Sequence, residues 1–339
     1  MRDGCNMPTD TNQFIINTSE LKKYYYTSDS FINRVLGSDN RIKAVDGVNL
    51  KIKKGKTYGL VGESGSGKST LGETVLQLQE PTAGTISFKG NKLKSFEKKD
   101  IKSFRKEAQI ILQDPYEALN PKQTVYQIVS EPLRNYFDYP KPELEKQVAN
   151  VLTDVGLRPA KEFFDLYPNQ MSGGQRQRIN IARAIILKPD FLVADEPLSM
   201  LDVSVQGGLL KLLDRLKQEY EFSMLYISHN LTVVKMISDH IGVMYKGRIV
   251  EEGETNKIME NPKHPYSKAL IDSIPKLDGE RERVTLPEDK NDDSKEITGC
   301  RFHPRCPKKM DVCEAKKPAL EYAEQREVAC YLYHTENIN

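Results

Sequence analysis

Two hydrophobic patterns alternate along this chain. Phe14-Ile15-Ile16 opens a strand, Leu21 to Tyr26 follows, and a polar insert runs on to Asn40. Ala44 to Ile52 alternates apolar and polar residues, as a strand with one buried face does, and Lys53-Lys54-Gly55-Lys56 turns the chain. Tyr58-Gly59-Leu60-Val61 reads as a short buried strand, Thr70 to Gln79 as a helix, Pro81 to Gly84 as a turn and Thr85 to Lys89 as a further strand. From Asp114 to about Leu187 the pattern is helical, with Val125 to Tyr136 and Pro142 to Val155 carrying apolar residues at helical spacing. Phe191 to Ala194 and Met224 to Ile227 are two more apolar strands, and the Leu stripe of Leu209 to Lys217 between them suits core packing. Asp278 to Glu296 is highly charged and reads as a flexible linker; residues 1–12 read as a disordered N-terminus. No internal repeat is visible. Short apolar strands alternating with helices predict an α/β fold with a mostly parallel sheet, preceded by mixed β structure.

In such sheets ligands sit beyond the carboxyl ends of the strands, and that is where the chemistry-bearing residues fall. The first buried strand runs into Gly62-Glu63-Ser64-Gly65-Ser66-Gly67-Lys68-Ser69-Thr70, which fits the phosphate-loop pattern G-x-x-x-x-G-K-[ST]. Glycines let successive backbone N–H groups point at phosphate oxygens, and the following helix presents its positive end. Lys68 would reach the β- and γ-phosphates and Ser69 would offer its hydroxyl to Mg²⁺. The second strand ends in Asp195-Glu196 and the third in Ser228-His229.

Composition removes some classes. The 339 residues are 38% hydrophobic and 29% charged, ordinary values for a soluble protein with a substantial core. A net charge of +2 gives no global basic field for nucleic acid. No apolar run approaches the ~20 residues of a membrane span, and the polar start is unlike a signal peptide. The expected location is therefore the cytosol, with any membrane role needing a membrane partner. Four of the five cysteines, Cys300, Cys306, Cys313 and Cys330, cluster late in the chain, and Cys5 lies alone in the start. That clustering points to a metal rather than to disulfides.

Read together, the loop, Gln113, Ser172-Gly173-Gly174-Gln175, Asp195-Glu196, Ser199-Met200-Leu201-Asp202 and His229 resemble, in order and spacing, the ATP-binding subunits of ABC transporters. The resemblance covers about residues 13–260. It implies a P-loop NTPase domain of ABC type: a mixed sheet core, an antiparallel β subdomain and an α-helical subdomain at about 114–187. It implies Asp195 as the Walker B aspartate on Mg²⁺ and Glu196 as the glutamate that polarises the attacking water. It implies Gln113 as the Q-loop glutamine, contacting Mg²⁺ and sensing the membrane subunit, and His229 as the residue at the γ-phosphate. Met171 stands where the family usually has Leu before the signature Ser172-Gly173-Gly174-Gln175. In the family that signature covers ATP held by a second subunit, so the active unit is a dimer, with Asp202 linking the two sites. Tyr25 aligns with the adenine-stacking aromatic, with Tyr24 and Tyr26 as alternatives.

Gln113-Asp114-Pro115-Tyr116, Ala118-Leu119-Asn120-Pro121 and His264-Pro265-Tyr266 look like oligopeptide and dipeptide importers in particular. The insert before Ala44 resembles the F-type subunit, whose partner is a D-type ATPase in a heterodimer; a homodimer stays open. The remaining partners implied are two membrane permeases and, indirectly, an extracytoplasmic solute-binding protein, with no nucleic acid and a place at the cytoplasmic face of the membrane. Residues 261–339 match the subgroup's C-terminal extension, where the same cysteine pattern is associated with a 4Fe–4S cluster. The spacings of five, six and sixteen residues lack the C-x-x-C pairs usual for structural zinc, though zinc stays an alternative, as do free thiols. Import of nickel or an oligosaccharide by the same ATPase type stays open too. A soluble ABC ATPase on ribosomes or DNA fits less well, because one cassette is present and the charge is near neutral. A catalytically dead ATP sensor fits less well because Lys68, Glu196 and His229 are all present.

Overall fold

A computed structural model describes residues 13–26, 41–93, 98–274 and 297–334. The expected disordered start, the polar insert, the linker at 278–296 and Cys5 lie outside the described residues. In chain order the strands are β1 (Phe14–Tyr26), β2 (Arg41–Val48), β3 (Lys51–Lys53), β4 (Thr57–Val61), β5 (Ala83–Phe88), β6 (Asn91–Lys92), β7 (Ala108–Ile111), β8 (Phe191–Asp195), β9 (Ser223–Ser228), β10 (His240–Tyr245), β11 (Arg248–Glu254), β12 (Glu321–Ala323) and β13 (Arg326–Val328). They make two sheets. One is antiparallel, with β1 between β2 and β5, β6 beyond β5, and β3 also on β1. The other runs β12-β13-β11-β10-β4-β9-β8-β7. Its stretch from β10 to β7 is parallel throughout, and β11, β13 and β12 continue it antiparallel. This is the α/β architecture that the pattern predicted, and its large sheet is mixed, as the resemblance implied.

Every residue of β4, β8 and β9 is buried, which is why these segments read as unbroken apolar runs rather than alternations. The two-residue period still sorts their side chains. Val61, Leu192, Ala194, Met224 and Tyr226 face a core shared with the helices Val125–Tyr136, Lys141–Asp154 and Gly173–Ile185. Leu60, Phe191, Val193, Leu225 and Ile227 face a second core built with the helix Lys68–Val75 and the antiparallel sheet.

Three expectations need correction. Ala44 to Ile52 is two strands, because Asn49-Leu50 leaves the ladder and Leu50 exchanges bonds with Thr18 instead, its N–H donating to Thr18 Oγ1 at 2.8 Å. The helix after the phosphate loop begins at Lys68 and ends at Val75, earlier than its apolar pattern suggested. The region before Asp114 also contains β7, and β10 to β13 follow His229; none of these was anticipated.

Candidate functional site

β7, β8, β9 and β4 are neighbours, so the segments leaving their carboxyl ends converge. Those segments carry Gln113, Asp195-Glu196, His229 and the phosphate loop respectively. The loop passes very close to other backbone. A Cβ on Gly62 would stand 2.2 Å from the Met244 carbonyl oxygen, and one on Gly67, at φ 99°, 2.0 Å from that of Ala44. Only glycine fits either place. Gly67 caps the helix Lys68–Val75, whose first N–H groups point back into the loop.

Lys68 is 5% exposed. Its Nζ donates to the carbonyl oxygens of Gly62 at 2.9 Å and Glu63 at 2.8 Å. Burial lowers its pKa, against the pull of Glu196, Asp195 and Glu63. Ser69 Oγ donates to Asp195 Oδ1 at 3.1 Å. Burial pushes the Asp195 carboxyl up to about 6; the Ser69 hydrogen bond opposes this and the Glu196 and Glu73 charges add to it. A carboxylate and a hydroxyl held this way are suitable oxygen ligands for Mg²⁺.

Glu196 stands one residue further on. Its Oε2 lies 3.0 Å from His229 Nδ1 and 3.5 Å from the Gln113 Nε2 donor. With its proton on Nδ1, His229 donates to the carboxylate. Glu196 has φ 43°, a left-handed conformation that costs a non-glycine residue about 1–2 kcal/mol. Its N–H bond to Ile227 O at 2.9 Å and the bonds of Ser199 to its carbonyl hold it there. Beneath it the Tyr226 hydroxyl is buried without a hydrogen-bond partner among the described residues. A carboxylate so fixed, its side chain 14% exposed, can accept a hydrogen bond from water and orient it.

Ser172 caps the helix Gly173–Ile185, its Oγ accepting from the Gln175 N–H while Gln175 Oε1 accepts from the Ser172 N–H. Gly173 and Gly174 pack against Leu201 and Val205, on either side of Asp202, which stands at the N-cap position of the helix Val203–Tyr220 without a side-chain cap bond. The signature stretch and the Asp202 turn therefore form one surface, bearing Met200 at 54% and Val203 at 83% exposure. Tyr24 is committed elsewhere, its hydroxyl donating to Asp46 Oδ1 at 2.6 Å. Tyr25 lies under the Lys23 ammonium at 5.1 Å, and Tyr26 is exposed.

The late cysteines converge. Cys300, Cys306, Cys313 and Cys330 line one cavity of about 10 Å³ with Phe302, His303 and Tyr331. Burial pushes the Cys330 thiol up to about 12 and also raises Cys300 and Cys306, so only a bound cation would keep them as thiolates near neutral pH. The donors thus match a thiophilic metal in kind and line one cavity. Their spacing does not, since among the described residues no group of three or more His, Cys, Asp or Glu is arranged to hold a metal ion.

Sequence reasoning missed the residues that hold the loop from outside. Tyr266 Oη accepts the Glu63 N–H at 2.9 Å, and Arg305 donates to both carboxylate oxygens of Glu63. No local motif announces an arginine that acts more than 200 positions away.

The ABC transporter family model matches residues 45–199, and the model of the oligopeptide/dipeptide transporter C-terminal region matches 250–313. The oligopeptide transport ATP-binding protein AppF of Bacillus subtilis is 41% identical over 96% of this chain and 100% of that protein. The chain belongs to the ATP-binding protein family of ABC transporters. The dipeptide transport ATP-binding protein DppF of Escherichia coli is 39% identical over 94% of each chain. Among solved structures of the family, cbiO1 of Clostridium perfringens superposes with a TM-score of 0.62 at 28% identity, covering 74% of this chain and 92% of that one. A dimeric bacterial ABC transporter cassette gives 0.62 at 27%, over 71% and 98%. Among the described residues no helix of this family member is long and apolar enough to cross a membrane.

Proposed function

We propose that this chain is the ATP-hydrolysing subunit that powers an importer of oligopeptides or dipeptides. One observation carries the reading. Lys68, Ser69, Asp195, Glu196, His229 and Gln113 meet at the ends of adjacent strands, on a chain that also carries the oligopeptide/dipeptide C-terminal region.

Lys68 and the amides of Gly62 to Thr70 take the phosphates, and Tyr25 stacks on the adenine. Ser69, Asp195 and Gln113 hold Mg²⁺, which neutralises phosphate charge when bound. Glu196 orients and polarises the attacking water, and His229 steadies Glu196 beside the γ-phosphate. Ser172, Gly173, Gly174 and Gln175 close over the ATP of a second ATPase subunit, and Asp202 links the two sites. Exposed Met200 and Val203 support such a contact, since large apolar side chains flank the signature surface. The partner is a D-type subunit in a heterodimer, and closure and reopening of the pair drive two permeases at the cytoplasmic face. The chain divides into a cassette at 13–260, with its helical part at about 114–187, and an extension at 261–339. Cys300, Cys306, Cys313 and Cys330 would hold a thiophilic centre, a 4Fe–4S cluster in preference to zinc.

The test is uptake of a labelled dipeptide and of a longer peptide by cells deleted for this gene and complemented with it. Restored peptide uptake, without restored nickel or oligosaccharide uptake, is expected; restoration of nickel or sugar uptake alone would overturn the peptide assignment. Iron, zinc and sulfide analysis of anaerobically purified protein tests the centre, and zinc without sulfide would exclude the cluster.

A further inference from the structure

Glu63, the second residue of the phosphate loop, is anchored at three points. Its N–H donates to Tyr266 Oη at 2.9 Å, its carbonyl accepts from Lys68 Nζ at 2.8 Å, and its carboxylate takes Arg305 Nη1 at 2.8 Å and Nη2 at 3.1 Å. Two of the three anchors come from residues after 260. Arg305 is also built into the cysteine region. It ends the short turn His303–Arg305, its N–H donates to Phe302 O at 3.0 Å, and Cys306 follows it. His303 N–H donates to Cys300 O at 3.0 Å, and Cys300 N–H donates to Cys313 O at 2.8 Å. Phe302, 1% exposed, wedges the turn against the rings of Tyr245, His264 and Tyr266. The packing of the four-cysteine cavity therefore sets where the Arg305 guanidinium stands.

A bidentate guanidinium–carboxylate fork fixes orientation as well as distance. With Glu63 so held, the Glu63 carbonyl and the Lys68 ammonium are placed before any phosphate arrives, which removes part of the ordering cost of binding. The Glu63 side chain is 41% exposed and that of Arg305 10%, so water weakens the pair as a contribution to stability. Its effect belongs in nucleotide affinity.

We infer that Arg305 is a positioning residue for ATP: acting through Glu63 it preorganises the phosphate loop, and it makes the loop's affinity depend on order in the His303–Arg305 turn beside the four-cysteine cavity. The second half rests on the reading of those cysteines as an ordered centre.

The test uses the full-length chain in its assembled complex, with MgATP affinity followed by displacement of a fluorescent ATP analogue. Arg305→Gln weakens MgATP binding about tenfold, the scale of one lost charge-assisted contact in a binding loop. It raises KM for ATP with little change in kcat or in the unfolding midpoint. Arg305→Lys restores part of the affinity, since an ammonium cannot make the fork. Glu63→Gln gives a similar loss, and the double variant is no worse than either single. Wild-type affinity in Arg305→Gln, or single losses that add in the double variant, overturns the positioning role. Cys306→Ser also weakens binding, but not when Arg305 is already Gln. Wild-type affinity in a folded Cys306→Ser protein overturns the link to the cysteine turn. Metal and sulfide content of the same samples is read separately, so an empty wild-type centre refutes the metal reading without touching the Arg305 comparison.

Discussion

Asp46 offers the sharpest stability prediction. It lies on β2 and is 6% exposed. Its Oδ2 takes Arg248 Nε at 2.9 Å and Nη2 at 2.5 Å, and Arg301 Nη2 at 2.6 Å, while Oδ1 takes the Tyr24 hydroxyl at 2.6 Å. Burial alone would raise its pKa, but the Tyr24 and Arg248 hydrogen bonds and the two guanidinium charges outweigh that and hold it well below the usual carboxylate range. One carboxylate thus joins the antiparallel sheet, β11 and the C-terminal extension. Asp46→Ala leaves two guanidinium groups and a phenol without it, and breaking a buried pair from one side costs about 3–5 kcal/mol. The wild-type contribution is present above the unfolded carboxylate pKa and is lost as pH falls through the lower folded one. Urea unfolding at neutral pH should therefore show a loss of about 3–5 kcal/mol in Asp46→Ala. Limited proteolysis should cut earlier within 297–334. A loss under about 1 kcal/mol at neutral pH would refute the reasoning, because it would mean that water, not Asp46, satisfies the two arginines.

Gly67→Ala places a Cβ 2.0 Å from the Ala44 carbonyl oxygen at a φ of 99°, so equilibrium binding should find nucleotide affinity lost. Glu252 sits between the Tyr58 hydroxyl and Glu327; burial pushes it up to about 8, the Tyr58 bond opposes and the Glu327 charge adds. The folded state therefore keeps a proton that the unfolded state releases, and stability falls as pH rises from about 4.5 towards 8. Glu252→Gln should flatten that fall in thermal melts across the window. Phe302→Ala removes a ring 1% exposed and should cost about 3–5 kcal/mol in urea unfolding.

The fold was legible where one physical cause dominates. β4, β8 and β9 are buried on both faces, so their apolar runs stand out, and Gly62 and Gly67 of the phosphate loop are forced by close backbone while Gly65 stands at φ 77°. β7 was missed because Gln109 breaks its four-residue run. β11 was missed because its polar residues are satisfied by partners far along the chain, such as Arg326 on Glu251 and Asp46 on Arg248. Asp46 looked like an ordinary polar position in an alternating strand for the same reason. The cysteines announced themselves as a group, but their convergence depends on the Phe302 wedge and on β13 docking to β11, which no spacing encodes. Tyr266 stood out only within His264-Pro265-Tyr266; its bond to the loop, like that of Arg305, depends on the extension folding back against it.

The most direct test of the account is MgATP binding and hydrolysis by the assembled complex carrying Glu196→Gln. That change keeps the shape of the side chain held by His229 and Gln113 and removes its charge. The account predicts that nucleotide still binds while turnover falls on the order of 10²–10⁴-fold, as when a positioned general base is lost. Turnover within about threefold of wild type, well short of that range, would contradict the role given to Glu196 and to the site built around it.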